Sequence, residues 1–308
     1  MTYESRSTEG ITIEWPTVLL IILCYGIWAG LLVFKNETPV FMWILFSALN
    51  ITLFMSITHE VVHFHPTRNR LINQLMIALP IGWSIPFERF RDTHLDHHNT
   101  GELTDPFDDP ESWYLANYDW IGREPITRAV LTFNNTLLGR MVIGPAIGLG
   151  RFFAGEFASI LRGGKQGRYV LRVWLQHFAL CSVLAFIIVQ TYSAPIWHWV
   201  MAIYLGHSFL YVRTFLEHQA TPEHGERTVI IEKACPIAFL FLFNNYHFVH
   251  HDKPGIAWYR LPSEYRNQKQ QYVERNGAYV YSSYGEVFRR FFLRAKEPVS
   301  HPFLHTNV

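Results

Sequence analysis

The sequence predicts an all-α integral membrane protein, with about four transmembrane helices in two hairpins, interfacial helices and a cap on one membrane face. Three observations carry this prediction. Hydrophobic residues make up 49% of the 308 residues and charged residues only 17%, below the roughly 25% charge of ordinary soluble proteins. Four stretches approach the ~20 mostly apolar residues that cross a hydrocarbon core of about 30 Å. Arginines crowd the segment between the second and third stretches, whereas the short connections carry only Lys35.

The spans follow in order. Residues 15–34 form the first, bounded by Glu14 and Lys35, and residues 39–58 the second after a very short connection. Residues 170–190 form the third, despite Arg172, Gln176 and His177, and residues 195–216 the fourth. The N-terminus mixes Glu4, Arg6 and Glu9 and lacks the basic start of a secretory signal, so the first span is expected to be retained. By the positive-inside rule, Arg68, Arg70, Arg89, Arg91, Arg123, Arg128, Arg140, Arg151, Arg162, Lys165 and Arg168 place the middle segment in the cytoplasm. Both termini and a cap made from residues 59–169 and 217–308 then lie on the same side. Residues 71–87, 129–150 and 236–243 are apolar but interrupted or short, and are expected to lie on the bilayer surface. The whole chain, 1–308, reads as a single domain.

Composition excludes several classes. A net charge of +1 gives no case for a nucleic acid partner. Cys24, Cys181 and Cys235 are far apart and form no CxxC pair, so a zinc ribbon or cysteine-ligated cluster is not supported.

The sixteen histidines are clustered. His59 and His63 form HEVVH directly after the second span. His94, His97 and His98 form HLDHH, and His247, His250 and His251 form HFVHH. Residues three and four apart share a helix face, so each cluster points two or three imidazoles at one spot, and imidazole suits iron, zinc, copper and nickel. Composition alone predicts roughly 0.04 HxxHH matches, and two are present. The span count puts all eight on one membrane face, enough for two metals with open positions. His218, at the end of the fourth span as His59 is at the end of the second, is a ninth candidate. His65 is expected to be structural or supporting. His177, His198 and His207 read as core residues, and His224, His301 and His305 as loop residues.

The three clusters, their order and their placement resemble the membrane fatty acid desaturase and hydroxylase superfamily, in its bacterial form. NNYHFVHHDKPGIAWYRLP (244–262) is similar to the third histidine box, and RDTHLDHHNTGELTDPFDDPESWY (91–114) to the second box with its acidic continuation. The resemblance implies two iron ions held by His59, His63, His94, His97, His98, His218, His247, His250 and His251, with O2 as co-substrate. It implies an oxidase acting on an unactivated C–H bond of a lipid-like substrate, with fatty acyl desaturation favoured. Hydroxylation or ketolation of a lipid or carotenoid on the same scaffold is the alternative.

Carboxylates often steady ligating histidines through the second ring nitrogen. Glu60, Asp92, Asp96, Glu217 and Asp252 neighbour ligand candidates, and Asn245 is a further donor. The acidic run Glu102, Asp105, Asp108, Asp109 and Glu111 reads equally as a solvated loop or as support for the site. Asn50 is a candidate channel wall. No flavin, nicotinamide or cytochrome motif is visible, so an external electron donor of ferredoxin, rubredoxin or cytochrome b5 type is expected. HEVVH also matches the zinc protease signature with Glu60 as base, but that reading leaves both HxxHH clusters unexplained. A metal transporter would place its ligands near the bilayer midplane rather than at helix ends.

Overall fold

The computed structural model describes residues 13–233 and 235–303; Glu4, Arg6, Glu9 and His305 lie outside them. The fold is all-α apart from one pair of two-residue parallel strands. Helices α1 (Trp15–Val33) and α2 (Val40–Val62) form the first hairpin. Pro16 sits in the first turn of α1, where a missing N–H costs nothing. The second expected span ends at residue 58, yet α2 continues to Val62 with His63 as its C-cap. Hydropathy falls at Thr58 because the side chains turn polar, while nothing there breaks a helix, so His59 lies within α2 rather than after it.

The middle segment holds α3 (Arg70–Met76), α4 (Phe87–Asn99), α5 (Asn117–Ile121), α6 (Pro125–Asn134), α7 (Leu137–Val142) and α8 (Gly144–Arg162). Asn69 caps α3 by accepting from Ile72 N, and Thr136 caps α7 by accepting from Gly139 N. Gly163 and Gly164, both at positive φ (70° and 68°), turn α8 directly into α9 (Gly164–Phe186), which ends in a π-helical turn at Ile187–Thr191. Only glycine takes two such residues in succession without strain.

Helix α10 (Ile196–Thr214) packs on α2. Its Gly206 makes the approach close: a Cβ there would sit 3.0 Å from Ile51 Cγ2 and 3.2 Å from the Ala48 carbonyl. Among the described residues, three helices are long and apolar enough to cross a membrane: α1, α2 and α9 with its π-helical turn. The fourth expected span, α10, is not among them, because His198, His207, Arg213 and its Trp and Tyr residues dilute the apolar content. It buries Trp199, Ala202, Gly206 and His207 and turns Trp197, Val200 and Met201 outward.

Around the bundle runs a belt of exposed large apolar side chains, including Leu19, Ile22, Phe41, Phe46, Leu175, Phe178 and Phe186. Soluble proteins rarely expose such a contiguous surface, and lipid is its natural solvent. Several buried polar groups inside the bundle bond between helices. Asn50 Nδ2 donates to the Cys24 carbonyl (3.1 Å), Thr52 Oγ1 to Gly206 (3.0 Å) and Ser56 Oγ to Leu240 (3.0 Å). Such bonds contribute about 1 kcal/mol each in lipid. Asn50 thus ties α1 to α2 and is no channel wall.

The C-terminal third adds α11 (Pro236–Leu240), α12 (His247–Asp252), α13 (Leu261–Asn267), α14 (Lys269–Arg275) and α15 (Tyr284–Phe291). Strands β1 (Ile230–Ile231) and β2 (Val280–Tyr281) pair within it. The C-terminal ends of α2 and α10 meet α4 and α12 at one end of the bundle.

Candidate metal centre

Four short pieces of chain supply the clustered imidazoles. Helix α2 carries His59 and His63, α4 carries His94, His97 and His98, and α12 carries His247, His250 and His251. His218 follows α10 in extended chain and bridges to Thr228. The structure brings all nine together in two groups: His59, His63, His94, His98 and His250 in one, and His97, His218, His247 and His251 in the other. Within each group, one ring nitrogen per residue lies within 4.8 Å of all the others.

The ring nitrogens face one another closely. Nε2–Nε2 separations are 3.1 Å for His63–His94, 3.0 Å for His97–His218, 3.1 Å for His218–His247, 3.2 Å for His98–His250 and 3.2 Å for His247–His251. Ligands at right angles on one ion, with nitrogen–metal bonds of about 2.1 Å, would stand about 3.0 Å apart.

Supporting bonds fix the tautomers. His94 Nδ1 lies 2.8 Å from Glu111 Oε1, His97 Nδ1 2.7 Å from Asp109 Oδ1, and His247 Nδ1 3.2 Å from Asn244 Oδ1. Each Nδ1 therefore carries a proton, and in a neutral ring the Nε2 presents a lone pair inward. His97 Nε2 and His247 Nε2 both face His218 Nε2, which offers either one proton or one lone pair and cannot satisfy both. His59 Nε2 and His218 Nδ1 are buried without a hydrogen-bond partner among the described residues. Inward lone pairs at this spacing repel unless a cation lies between them, so the donor set fits bound metal.

Electrostatics agree for seven of the rings. Burial, reinforced by neighbouring imidazoles, holds His63, His94, His98, His218, His247, His250 and His251 well below the usual histidine range. His97 is the exception. Burial alone would lower it, but the Glu111, Asp109 and Glu217 carboxylates outweigh burial and push it up to about 9.

Several expected supporting residues stand elsewhere. Asp96 is exposed on α4 and makes no hydrogen bond or ion pair to any of the nine rings among the described residues, because residues two or one away from a ligand face a different way. Asp252 pairs with Arg275. Asn245 donates to the Ile231 carbonyl, and its neighbour Asn244 is the residue that meets His247. Asp92 is held by Arg89, Arg91 and Tyr169. Glu60 is buried, 3.8 Å from His59 Nδ1, and accepts the Trp258 N–H at 3.1 Å. Glu217 lies 3.6 Å from His247 Nδ1 and 2.8 Å from Arg213 Nε.

Within the acidic run, Asp109 and Glu111 support the rings, while Asp105 caps a turn and Glu102 and Asp108 are exposed. The sequence reading missed Asn244, which lies in the turn just before α12 and so reaches back to His247 in a way that helical spacing does not encode. His65 pairs with Glu14 at 2.8 Å, His177 with the Trp83 carbonyl at 2.6 Å and His207 with Ser84 at 2.7 Å. His198 is buried in α10, and His224 is exposed near Glu102. His301 lies in a loop as expected but is buried, 3.1 Å from Thr104 Oγ1.

A cavity of about 490 Å³ adjoins the imidazoles, within the usual range for ligand sites. Phe54, Met55, Ile77, Trp83 and Phe90 line one part; His59, His94 and His218 line another. Trp113, Arg140, Arg151, Tyr211 and Lys296 line a third.

No curated protein matches the chain. A protein-family model described as fatty acid desaturase matches residues 37–283, from the N-terminus of α2 to the loop before α15, and so covers every imidazole of both groups. With its lipid-facing helices and its paired histidine groups, the chain belongs to the fatty acid desaturase family.

Proposed function

We propose that the protein is an oxygen-dependent di-iron oxidoreductase that desaturates a fatty acyl chain. The observation that carries this reading is the pair of inward-facing imidazole groups beside a cavity with an apolar section. His59, His63, His94, His98 and His250 would hold one ion, and His97, His218, His247 and His251 the other. Two irons so held would supply, with O2 and two external electrons, an oxidant able to take hydrogen from an unactivated C–H bond. The two hydrogens lost from the substrate, two electrons and two protons reduce O2 to two waters, which leaves a carbon–carbon double bond.

The chain's own residues prepare this. Asp109, Glu111 and Asn244 keep protons on Nδ1, so the inward nitrogens stay free for metal. Apolar walls at Phe54, Met55, Trp83 and Phe90 receive a hydrocarbon chain from the bilayer side and keep water from its methylenes. The electrons come from a separate ferredoxin, rubredoxin or cytochrome b5 type donor, for which the basic middle segment offers a docking face. The chain crosses the membrane several times with its histidine-bearing end and both termini in the cytoplasm. A reporter fused after residue 120 should read as cytoplasmic, and an extracytoplasmic signal would overturn that orientation.

The deciding experiment compares lipid extracts with and without expression by mass spectrometry, alongside metal analysis of purified protein. Products lighter by two hydrogens, with close to two irons per chain, are expected. Full turnover in a preparation containing only zinc would end the di-iron reading, and products gaining one oxygen would replace desaturation with hydroxylation.

A further inference from the structure

The section of the cavity around Trp113 has no part in holding metal, yet it is built around positive charge. Four cationic side chains line the cavity: Arg140, Arg151, Arg213 and Lys296. Arg213 pairs with Glu217 and Lys296 with Glu297. Arg140 and Arg151 have no carboxylate at ion-pair distance among the described residues. Of the other carboxylates that line the cavity, Glu156 is engaged by Arg89, Glu111 by His94 and Asp109 by His97, while Glu297, paired with Lys296, also acts on Arg140 from beyond ion-pair distance.

Arg140 is 3% exposed, and a guanidinium so deeply placed is normally neutralised by an anion. Its geometry is fixed all the same. Nε donates to the Asn134 carbonyl at 3.1 Å, one Nη reaches Asn135 Oδ1 at 3.5 Å, and the guanidinium carbon stacks 3.7 Å above Trp113. Arg151 flanks the same indole at 5.8 Å. On α8, Gly144, Gly148 and Arg151 share one face. The two glycines let the Tyr211 ring lie against the helix backbone, since a Cβ at Gly148 would stand 2.2 Å from Tyr211 Oη. Burial pushes Arg140 down to about 10, still protonated at neutral pH.

We infer that Arg140 and Arg151 form an anionic headgroup site, which receives the carboxylate or phosphate of a single-chain lipid whose hydrocarbon tail runs past the imidazoles into the apolar section. This rests on the proposed acyl oxidase function and specifies its substrate class: a free acid or phosphate rather than a neutral ester. A planar guanidinium held by stacking on Trp113 suits a two-oxygen anion.

The test measures equilibrium binding of radiolabelled stearate to purified, metal-free protein in detergent, with methyl stearate and octadecyl phosphate as competitors. Arg140→Gln and Arg151→Gln should each weaken stearate binding at least about tenfold, with methyl stearate a poor competitor throughout. Competition by octadecyl phosphate stronger than by unlabelled stearate supports a phosphate headgroup, and weaker competition supports a carboxylate. Arg151 is exposed, so Arg151→Gln keeps the test valid if Arg140→Gln fails to fold. Equal affinity of the wild type for stearate and methyl stearate, or unchanged stearate binding by Arg151→Gln, would overturn the site. Because the readout needs neither metal nor turnover, it separates the two readings. Arginine-dependent binding with no lipid oxidised would sink the oxidase and leave the headgroup site standing. Oxidation with no arginine dependence would do the reverse.

Discussion

Replacing Asp109 with asparagine tests how the imidazoles are held. The Asp109 carboxylate is 4% exposed and accepts three hydrogen bonds. Oδ1 takes His97 Nδ1–H at 2.7 Å and Glu111 N–H at 2.9 Å, and Oδ2 takes Thr104 N–H at 2.8 Å. Asparagine matches the shape but brings an NH2 group. With its oxygen at the Oδ1 position, the NH2 meets Thr104 N–H; reversed, it meets His97 and Glu111. Donor faces donor either way. A bond to a charged group contributes about 1.5–3 kcal/mol, and a buried unsatisfied donor costs about 1–3 kcal/mol, so the substitution should cost roughly 3 kcal/mol or more. For metal retention, losing such a partner typically costs about 10–100-fold, equivalent to about 1.4–2.7 kcal/mol. The assay is iron per chain together with the half-time of iron loss to a chelator. Asp109→Asn should lose iron at least about tenfold faster than wild type, whereas Asp108→Asn, at the exposed neighbour, should behave as wild type. If Asp109→Asn kept full iron with an unchanged half-time, the carboxylate would have no part in orienting His97.

Three further outcomes are expected. His218→Ala should lower iron occupancy and abolish turnover while the protein still inserts, and His224→Ala, at an exposed loop position, should remain active; near-normal turnover by His218→Ala would remove it from the ligand set. Metal-free protein should melt at a lower temperature at pH 5.5 than at pH 7.5. The depressed imidazoles cannot take up protons that the unfolded chain binds below about 6.5, so stability falls as pH falls through that value; equal melting temperatures would contradict the depressed values. Gly206→Leu should force α2 and α10 apart against Ile51 and Ala48, at a cost of about 1–3 kcal/mol, and a thermal melt in detergent that showed no loss would mean the crossing is looser than described.

Much of the fold was legible because bilayer thickness imposes length and apolarity on local sequence. The helices at residues 15–33 and 40–62 begin within a residue of expectation, since Pro39 and the turn around Lys35 are local punctuation. The end of α2 was misplaced because hydropathy marks where side chains turn polar, not where a helix stops. The clustering of the imidazoles was legible from i,i+3 and i,i+4 spacing, which geometry converts directly into a shared face. Their supporting partners were mostly hidden. Asp109 and Glu111 come back to His97 and His94 only because the loop after α4 folds over it, and no local rule encodes that closure. Asp96 and Asp252 misled for the opposite reason: nearness along the chain does not put two helical side chains on one face. Arg140 drew notice only as one positive charge among many, since its burial without a carboxylate at ion-pair distance exists only in three dimensions.

The division of rings between the groups has a consequence for loading. His94 and His98 of α4 serve one group and His97 the other; on α12, His250 serves the first, and His247 and His251 the second. Neighbouring positions on a helix point about 100° apart, so α4 and α12 each stand between the groups like a post shared by two gates. Neither helix can rotate to suit one ion without swinging rings into or out of place for its neighbour. If the two groups hold ions as proposed, the first to bind would set the orientation the second one meets, and occupancy would be nearly all-or-none. Singly loaded protein should be scarce during titration, and damage to a ring on either helix should empty both positions together.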